Sequence, residues 1–338
     1  MEKALPRTAR QTRGTINENS NNWRCLAINN ILCIAGPTAS GKTALSIALA
    51  KELDGEVVSC DSMQVYRRMD IGTAKPSPEE QQGIVHHMID VAEPDEDFSV
   101  SRYCAMATPI VDDILARGKT AIIAGGTGLY MDALIKGNDF APFPSTGMRE
   151  NLEQEADRIG MAAMLERLRS IDPEAAAKLH LADRKRIIRA LEVYYETGET
   201  ITAHNRRTQA IPPRYTPLWL GLDFAERSQL YRRIDLRVEL MLQQGLVAEI
   251  QALLNSGIPP KATAMQAIGY KEFVDALTGS GSLESAAAQV QLSSRRYAKR
   301  QLTWFRRNPD MHWIIRNEGD TPGEILAQAR QIAAQFDK

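Results

Sequence analysis

Eight consecutive residues, Gly36-Pro37-Thr38-Ala39-Ser40-Gly41-Lys42-Thr43, match the pattern G-x-x-x-x-G-K-[ST]. They lie between a short apolar run, residues 31–35, and an apolar-periodic segment, 44–53, so the motif falls where a strand would turn into a helix. In that context the spacing makes a phosphate site. The glycines let backbone N–H groups curl around phosphate oxygens, Lys42 adds a positive charge, the helix N-terminus adds its dipole, and Thr43 is placed to hold Mg²⁺. A glycine-rich turn that merely caps a helix is the plain alternative, and the strand–loop–helix setting argues against it. A bound phosphate is expected; its carrier is left open by the motif.

Most P-loop nucleotidases also carry an Asp at the end of a second core strand. The obvious strand here, 120–124, ends instead in Gly125-Gly126-Thr127-Gly128. Asp61, after the run 56–60, is then the only carboxylate read as ending a core strand, suited either to holding Mg²⁺ or to acting as a base toward an acceptor. Capping the next helix would be its structural role. Arg233 and Arg237, one helical turn apart, could reach a diphosphate, although arginines on helices are commonly just solvated. His86 and His87 are adjacent, so their side chains diverge on either a strand or a helix, and both read as structural. Near the C-terminal end, residues 293–307 interleave bases with aromatics. On a helix Arg296, Lys299, Arg300 and Thr303 share one face while Leu302 and Phe305 turn elsewhere, a pattern able to grip RNA phosphates or simply to meet solvent.

The elements that must position these residues alternate strand and helix. Runs at 31–35, 56–60, 120–124 and 219–222, separated by helical segments, predict an α/β fold: a P-loop NTPase-like parallel sheet flanked by helices, with ligands at the carboxyl ends of the strands. Residues 145–210 read as an inserted all-helical subdomain, with helices at 152–169 and 184–196, bounded by the Pro-rich stretch 140–145 and by Pro212-Pro213. The core then comprises 30–144 and 211–316, with helices at 228–254 and 283–307, and 317–338 forms a C-terminal helix or tail. Residues 1–29, rich in Asn, Thr and Arg with no apolar core, read as a disordered leader.

Composition limits the alternatives. A hydrophobic share of 43% beside 25% charged residues is that of an ordinary globular chain, and no apolar run approaches the roughly 20 residues that cross a bilayer, so no membrane partner is expected. The cysteines, Cys25, Cys33, Cys60 and Cys104, are scattered without a C-x-x-C pair, which disfavours zinc and disulfides and suits a reducing cytosol. Although the net charge is only −1, bases cluster at Arg184, Lys185, Arg186 and Arg189 and again at 295–307, and local clustering decides what a surface binds.

From residue 31 to about 313 the chain resembles the tRNA dimethylallyltransferase family. The resemblance rests on an ordered set: the P-loop, Asp61-Ser62-Met63-Gln64-Val65-Tyr66, Ile71-Gly72-Thr73-Ala74-Lys75-Pro76, His86-His87-Met88-Ile89-Asp90, Gly125-Gly126-Thr127-Gly128-Leu129-Tyr130, and Lys299-Arg300-Gln301-Leu302-Thr303-Trp304. It implies that the P-loop holds the diphosphate of dimethylallyl diphosphate in place of ATP, with Mg²⁺ beside Thr43. It implies that Asp61 takes the proton of an adenine N6, with Thr38 near the bridging oxygen, and that Arg233 or Arg237 meets the diphosphate. The acceptor would be a tRNA carrying adenosines at positions 36 and 37. Its contacts would come from Asp61 to Gln64, Thr127 and Arg149, from Lys185, Arg186, Ile187, Ile188 and Arg189 in the insertion, from Gly269 and Tyr270, and from Lys299, Arg300 and Arg306. A monomer is expected. On residues alone, a kinase using ATP at the same P-loop, or an RNA-binding module without turnover, remain as other readings.

Overall fold

The computed structural model describes residues 30–137, 146–279 and 281–336. The leader assigned to 1–29 and the Pro-rich stretch 140–145 lie outside them. The centre is one six-stranded parallel sheet in the order β3-β2-β4-β1-β5-β6. Its strands are β1 (Ile31–Ala35), β2 (Gly55–Ser59), β3 (His86–His87), β4 (Thr120–Gly125), β5 (Leu218–Phe224) and β6 (Met311–Arg316). β1 sits between β4 and β5, buried on both faces, and its residues alternate between two cores. Leu32 and Ile34 face the side covered by α1 (Lys42–Leu53) and α14 (Pro322–Phe336), while Ile31, Cys33 and Ala35 face the larger core. A strand covered on both sides must be apolar at every position, which is why β1 reads as an unbroken hydrophobic run.

The larger core is closed by α3 (Val100–Ala116), α4 (Gly128–Lys136), α10 (Arg227–Gln243), α11 (Leu246–Asn255), α12 (Lys271–Thr278) and α13 (Leu283–Phe305). The four-residue α2 (Pro78–Gln81) lies between β2 and β3, with Ser77 closing a capping box against Glu80. The parallel strands send their carboxyl ends, and so the P-loop, Asp61 and the Gly125-Gly126 turn, to one edge of the sheet.

The insertion is a bundle of α5 (Met148–Ile159), α6 (Met161–Ile171), α7 (Pro173–Ala177), α8 (Arg184–Thr197) and α9 (Ile201–Gln209), with a core of its own around Leu152, Met164, Leu168, Ile187, Ile188 and Leu191. Two segments expected as single helices are pairs. Gly160, at φ 84°, separates α5 from α6, and Gly245, at φ 102°, separates α10 from α11. Both occupy the left-handed region, where glycine carries no steric cost. Among the described residues no helix is long and apolar enough to cross a membrane.

Candidate active site

The P-loop follows β1 directly, and its shape is set by backbone torsions. Gly41 ends the loop at φ 96°, and a Cβ there would stand 2.8 Å from Arg316 Nη1, so conformation and space both demand glycine. Because Gly41 brings no side-chain cap to α1, the helix presents its first amides and the positive end of its dipole to the loop. From outside, two arginines hold the loop: Arg233 Nε donates to Ala39 O at 2.9 Å and Arg316 Nη1 to Ser40 O at 2.7 Å. The guanidinium carbons of Arg233 and Arg316 lie 5.9 and 5.3 Å from the centroid of the Phe224 ring. Lys42 Nζ donates to Pro37 O at 2.7 Å.

A cavity of about 1290 Å³ opens at this edge of the sheet. Thr38, Lys42, Thr43, Asp61, Ser62, Met63, Gln64, Arg237, Gly269 and Arg300 all line it, drawing together residues far apart in the chain. A second cleft, about 620 Å³, lies at the amino ends of the strands around Asp54, Gly55, Gly83 and Lys119, the edge where parallel sheets do not gather ligands. The larger cavity is therefore the candidate site.

Its electrostatics are those of an anion site beside a carboxylate. Burial, and next the charge of Arg237, lower the Lys42 ammonium to about 7, while Asp61 opposes them. Burial likewise lowers Arg237, again against the pull of Asp61. Two cations crowded under one cavity destabilise each other until an anion arrives. Asp61 follows β2 and lines the cavity, and its Oδ1 accepts from Met63 N at 2.9 Å, a turn that orients the carboxylate. Gln64 is held at both ends: Oε1 accepts from Ser59 Oγ at 2.9 Å, and Nε2 donates to Thr73 O and Ala74 O at 3.3 and 3.2 Å. Thr127 Oγ1 accepts from Ser62 N at 3.0 Å, fixing the next residue of the same turn.

Sequence reasoning missed three side chains that assemble this site. Buried Gln301 bridges two loops, its Oε1 accepting from Thr38 N at 2.9 Å and its Nε2 donating to Gly126 O at 2.9 Å. A Cβ on Gly126 would sit 2.2 Å from that nitrogen, so the glycines after β4 make room for α13. Tyr297, one turn earlier, lines the cavity with a phenol pushed up to about 12 by burial and then by Asp61, which keeps it a neutral donor. Arg316 is the third. The spacing Tyr297, Gln301, Trp304 was a legible signal, a second face of α13 turned inward, with Trp304 Nε1 on Asp132 Oδ2 at 3.0 Å.

Some expected contacts are corrected by burial. Tyr270 is 0% exposed, with its hydroxyl on Glu249, and Ile187 and Ile188 lie in the core of the insertion, so none of these three side chains can meet a tRNA directly. Asp61 is not the only carboxylate near a strand's end, because Asp223 lies in β5. That group, however, is paired with Arg306 Nη2 at 2.7 Å and is not among the residues lining the cavity. Arg233 does not line the cavity either, whereas Arg237 does. On the insertion, Arg149 and Arg189 both pair with Glu192 and Arg186 with Asp183, while Lys185 is exposed. On α13, Arg296, Lys299, Arg300 and Thr303 form an exposed face as expected, and Leu302 and Phe305 are buried. His86 and His87 pair β3 with β2. His87 Nε2 meets Glu56 at 2.8 Å, a structural role, while His86 also borders the cavity.

Mg²⁺ can be judged against the donors present. Thr43 contributes a hydroxyl and Asp61 a carboxylate to the same cavity, and the described residues contain no cluster of three or more His, Cys, Asp or Glu able to hold a metal alone. Mg²⁺ commonly binds through one or two carboxylates, waters and substrate phosphates, so this set fits an ion arriving with a diphosphate.

Comparison with known proteins agrees with this arrangement. A family profile described as IPP transferase matches residues 64–308. The tRNA dimethylallyltransferase of Acetivibrio thermocellus is 44% identical over 310 residues, spanning 91% of this chain and 99% of its own. The tRNA dimethylallyltransferase 1 of Pelobacter propionicus is 46% identical over 311 residues, spanning 92% and 99%. Among solved structures, the full-length tRNA isopentenylpyrophosphate transferase of Bacillus halodurans is similar at 40% identity with a TM-score of 0.66, covering 91% of this chain and 98% of that one. A eukaryotic dimethylallyltransferase described as acting on tRNA is similar at 30% identity with a TM-score of 0.73, covering 91% and 77%. The profile spans well over half of the chain and the relatives nearly all of it: the chain belongs to the IPP transferase family.

Proposed function

We propose that this chain is a tRNA dimethylallyltransferase, moving the dimethylallyl group of dimethylallyl diphosphate to N6 of the adenosine at position 37, beside the anticodon. One observation carries the reading: a single cavity holds the cations of a P-loop site, Lys42 and Arg237, together with the Asp61 carboxylate. Its volume of about 1290 Å³ exceeds the roughly 300–1,000 Å³ of a pocket for one small ligand, leaving room for a donor and an extruded base. The names and full-length similarity of the relatives support the same reaction.

In this mechanism N6 of the adenine attacks C1 of the allyl group while the C1–O bond to the diphosphate breaks. The electron pair departs with the diphosphate toward Lys42 and Arg237, and the N6 proton passes to Asp61. Thr38, fixed through its amide by Gln301, lines the cavity beside them. Mg²⁺ carried in with the diphosphate, beside Thr43, would neutralise part of the leaving group's charge. A base stacked in a tRNA loop cannot enter such a cavity, so the acceptor must be flipped out. The exposed cations of α13 are suited to grip the flanking backbone.

The test is incubation of radiolabelled dimethylallyl diphosphate with unmodified tRNA carrying adenosines at positions 36 and 37, with Mg²⁺, followed by nucleoside analysis. N6-isopentenyladenosine at position 37 is the expected product. No incorporation by a preparation that still binds tRNA would overturn the reading.

Two further results are expected. A diphosphate beside Lys42 favours its ammonium form, so binding should take up a proton at pH values above about 7, and affinity should fall as pH rises through that value. Calorimetry of inorganic diphosphate binding at pH 8, in buffers of different ionisation enthalpy, reads this uptake. The permanently charged Lys42→Arg variant should lose it, and equal uptake by both proteins would count against Lys42. Replacing Lys299 and Arg300 together by alanine should weaken tRNA binding and flatten the slope of log K against log salt by about 0.7–0.9 per lost phosphate contact. An unchanged slope would show that this face does not touch the backbone.

A further inference from the structure

The cavity wall includes residues 70–76, a turn closed by Ala74 N on Ile71 O and Lys75 N on Asp70 O, both at 3.0 Å. The amides at its start are gathered by one carboxylate from a distant helix. Glu249, on α11, accepts from Asp70 N and Ile71 N through Oε2, both at 2.8 Å, and from Gly72 N at 3.2 Å and Tyr270 Oη at 2.5 Å through Oε1. Three successive amides and a phenol thus converge on one side chain. Fully buried Tyr270 also packs its ring under Gly72, where a Cβ would come within 2.4 Å of it. Ala74 in the turn, a non-glycine, holds a φ of 46°, and Arg68, just before it, one of 63°. Such torsions persist only where surrounding contacts over-determine them.

What the turn does next matters for the site. The Thr73 and Ala74 carbonyls both accept from Gln64 Nε2, and Gln64 lies three residues after Asp61, lining the same cavity. With Nε2 occupied by the turn and Oε1 by the Ser59 hydroxyl, the amide can be held in only one sense.

We propose that Glu249 is a positioning residue for the acceptor. By fixing the 70–74 turn it sets the orientation of Gln64, and with it the face that the cavity offers to the extruded base beside Asp61. The inference rests on the prenyl-transfer reading above. Among the described residues the hydrogen bonds to this carboxylate come from residues 70–72 and Tyr270, and none from α1, α10 or the P-loop, so the effect belongs to the tRNA side.

The experiment is steady-state kinetics of prenyl transfer by the full chain, with tRNA and dimethylallyl diphosphate varied separately. Glu249→Gln turns an NH₂ donor toward at least one backbone N–H whichever way the amide is held, and should lower kcat/KM for tRNA by about 10- to 100-fold, the scale of a misplacement near 1 Å. KM for dimethylallyl diphosphate should stay within about twofold. In a Gln64→Ala background the same substitution should cost much less, because both changes remove one effect. Additive losses in that cycle, or a wild-type kcat/KM for tRNA, would overturn the proposal, as would equal losses toward both substrates. Should Glu249→Gln fail to fold, Tyr270→Phe, which removes one donor of the four and keeps the ring under Gly72, should show a smaller loss confined to the tRNA side. The wild-type protein run in parallel separates the two readings: no transfer by it refutes the function itself, while transfer unaffected by either variant refutes only the role of Glu249.

Discussion

Asp61→Ala is expected to lower kcat by 10²–10⁴, the range typical of a positioned general base, while tRNA binding measured by filter retention stays close to wild type. The geometry makes a sharper version available. Asp61 Oδ1 accepts from Met63 N, so an asparagine keeps that turn and its shape while removing the group able to take a proton. Asp61→Asn should therefore fall nearly as far as Asp61→Ala. If the loss belonged to the turn and not to proton transfer, asparagine would restore most of the rate. Wild-type turnover in Asp61→Asn would remove Asp61 from the chemistry, and Tyr297, which also lines the cavity, could not take its place as the base. That phenol is held neutral, with a pKa pushed up to about 12, and is equipped to donate and not to accept at neutral pH.

The parts of this site that sequence revealed are those whose chemistry is local. A P-loop is eight contiguous residues whose torsions and charge are encoded side by side, and Asp61 stands at the end of a visibly apolar run. The basic face of α13 is a periodicity within one helix. What escaped was long-range. Gln301 is 263 residues from the amide it holds and 175 from the carbonyl it meets, and neither partner changes the pattern around it. β3 and β6 gave weak signals for different reasons. β3 is two residues long, and β6 carries only two fully buried side chains at the sheet's edge, so neither shows the continuous apolar run of a central strand. The breaks at Gly160 and Gly245 were visible as glycines, but a glycine within a helical pattern does not announce its φ. Tyr270 sits within a motif that the resemblance ties to tRNA, and only burial shows that its hydroxyl serves Glu249.

The choice between Arg233 and Arg237 shows the same limit, and it yields the second large effect. One turn apart on α10, the two arginines are equivalent by spacing, yet they differ in what they reach. Arg237 is half-buried in the cavity wall, where it lowers the Lys42 ammonium and has its own charge favoured by Asp61. Arg233 is engaged from outside with Ala39 O and with the face of Phe224, beside Arg316. A charge aimed at a leaving group in a water-poor site contributes more to the transition state than to the ground state, and losing one such donor costs about 10²–10³ in kcat. Arg237→Ala is expected to show that loss. It should also raise the Lys42 pKa in the free enzyme, since a neighbouring cation is gone. Arg233→Ala removes a brace from the loop and leaves Lys42 and Arg237 in place, so its cost should be several-fold at most and should appear chiefly in KM for dimethylallyl diphosphate. The two variants compared by single-turnover kinetics decide the matter. A reversed order would place the diphosphate on the outer side of the P-loop, where Arg316 and not Arg237 would be its second cation.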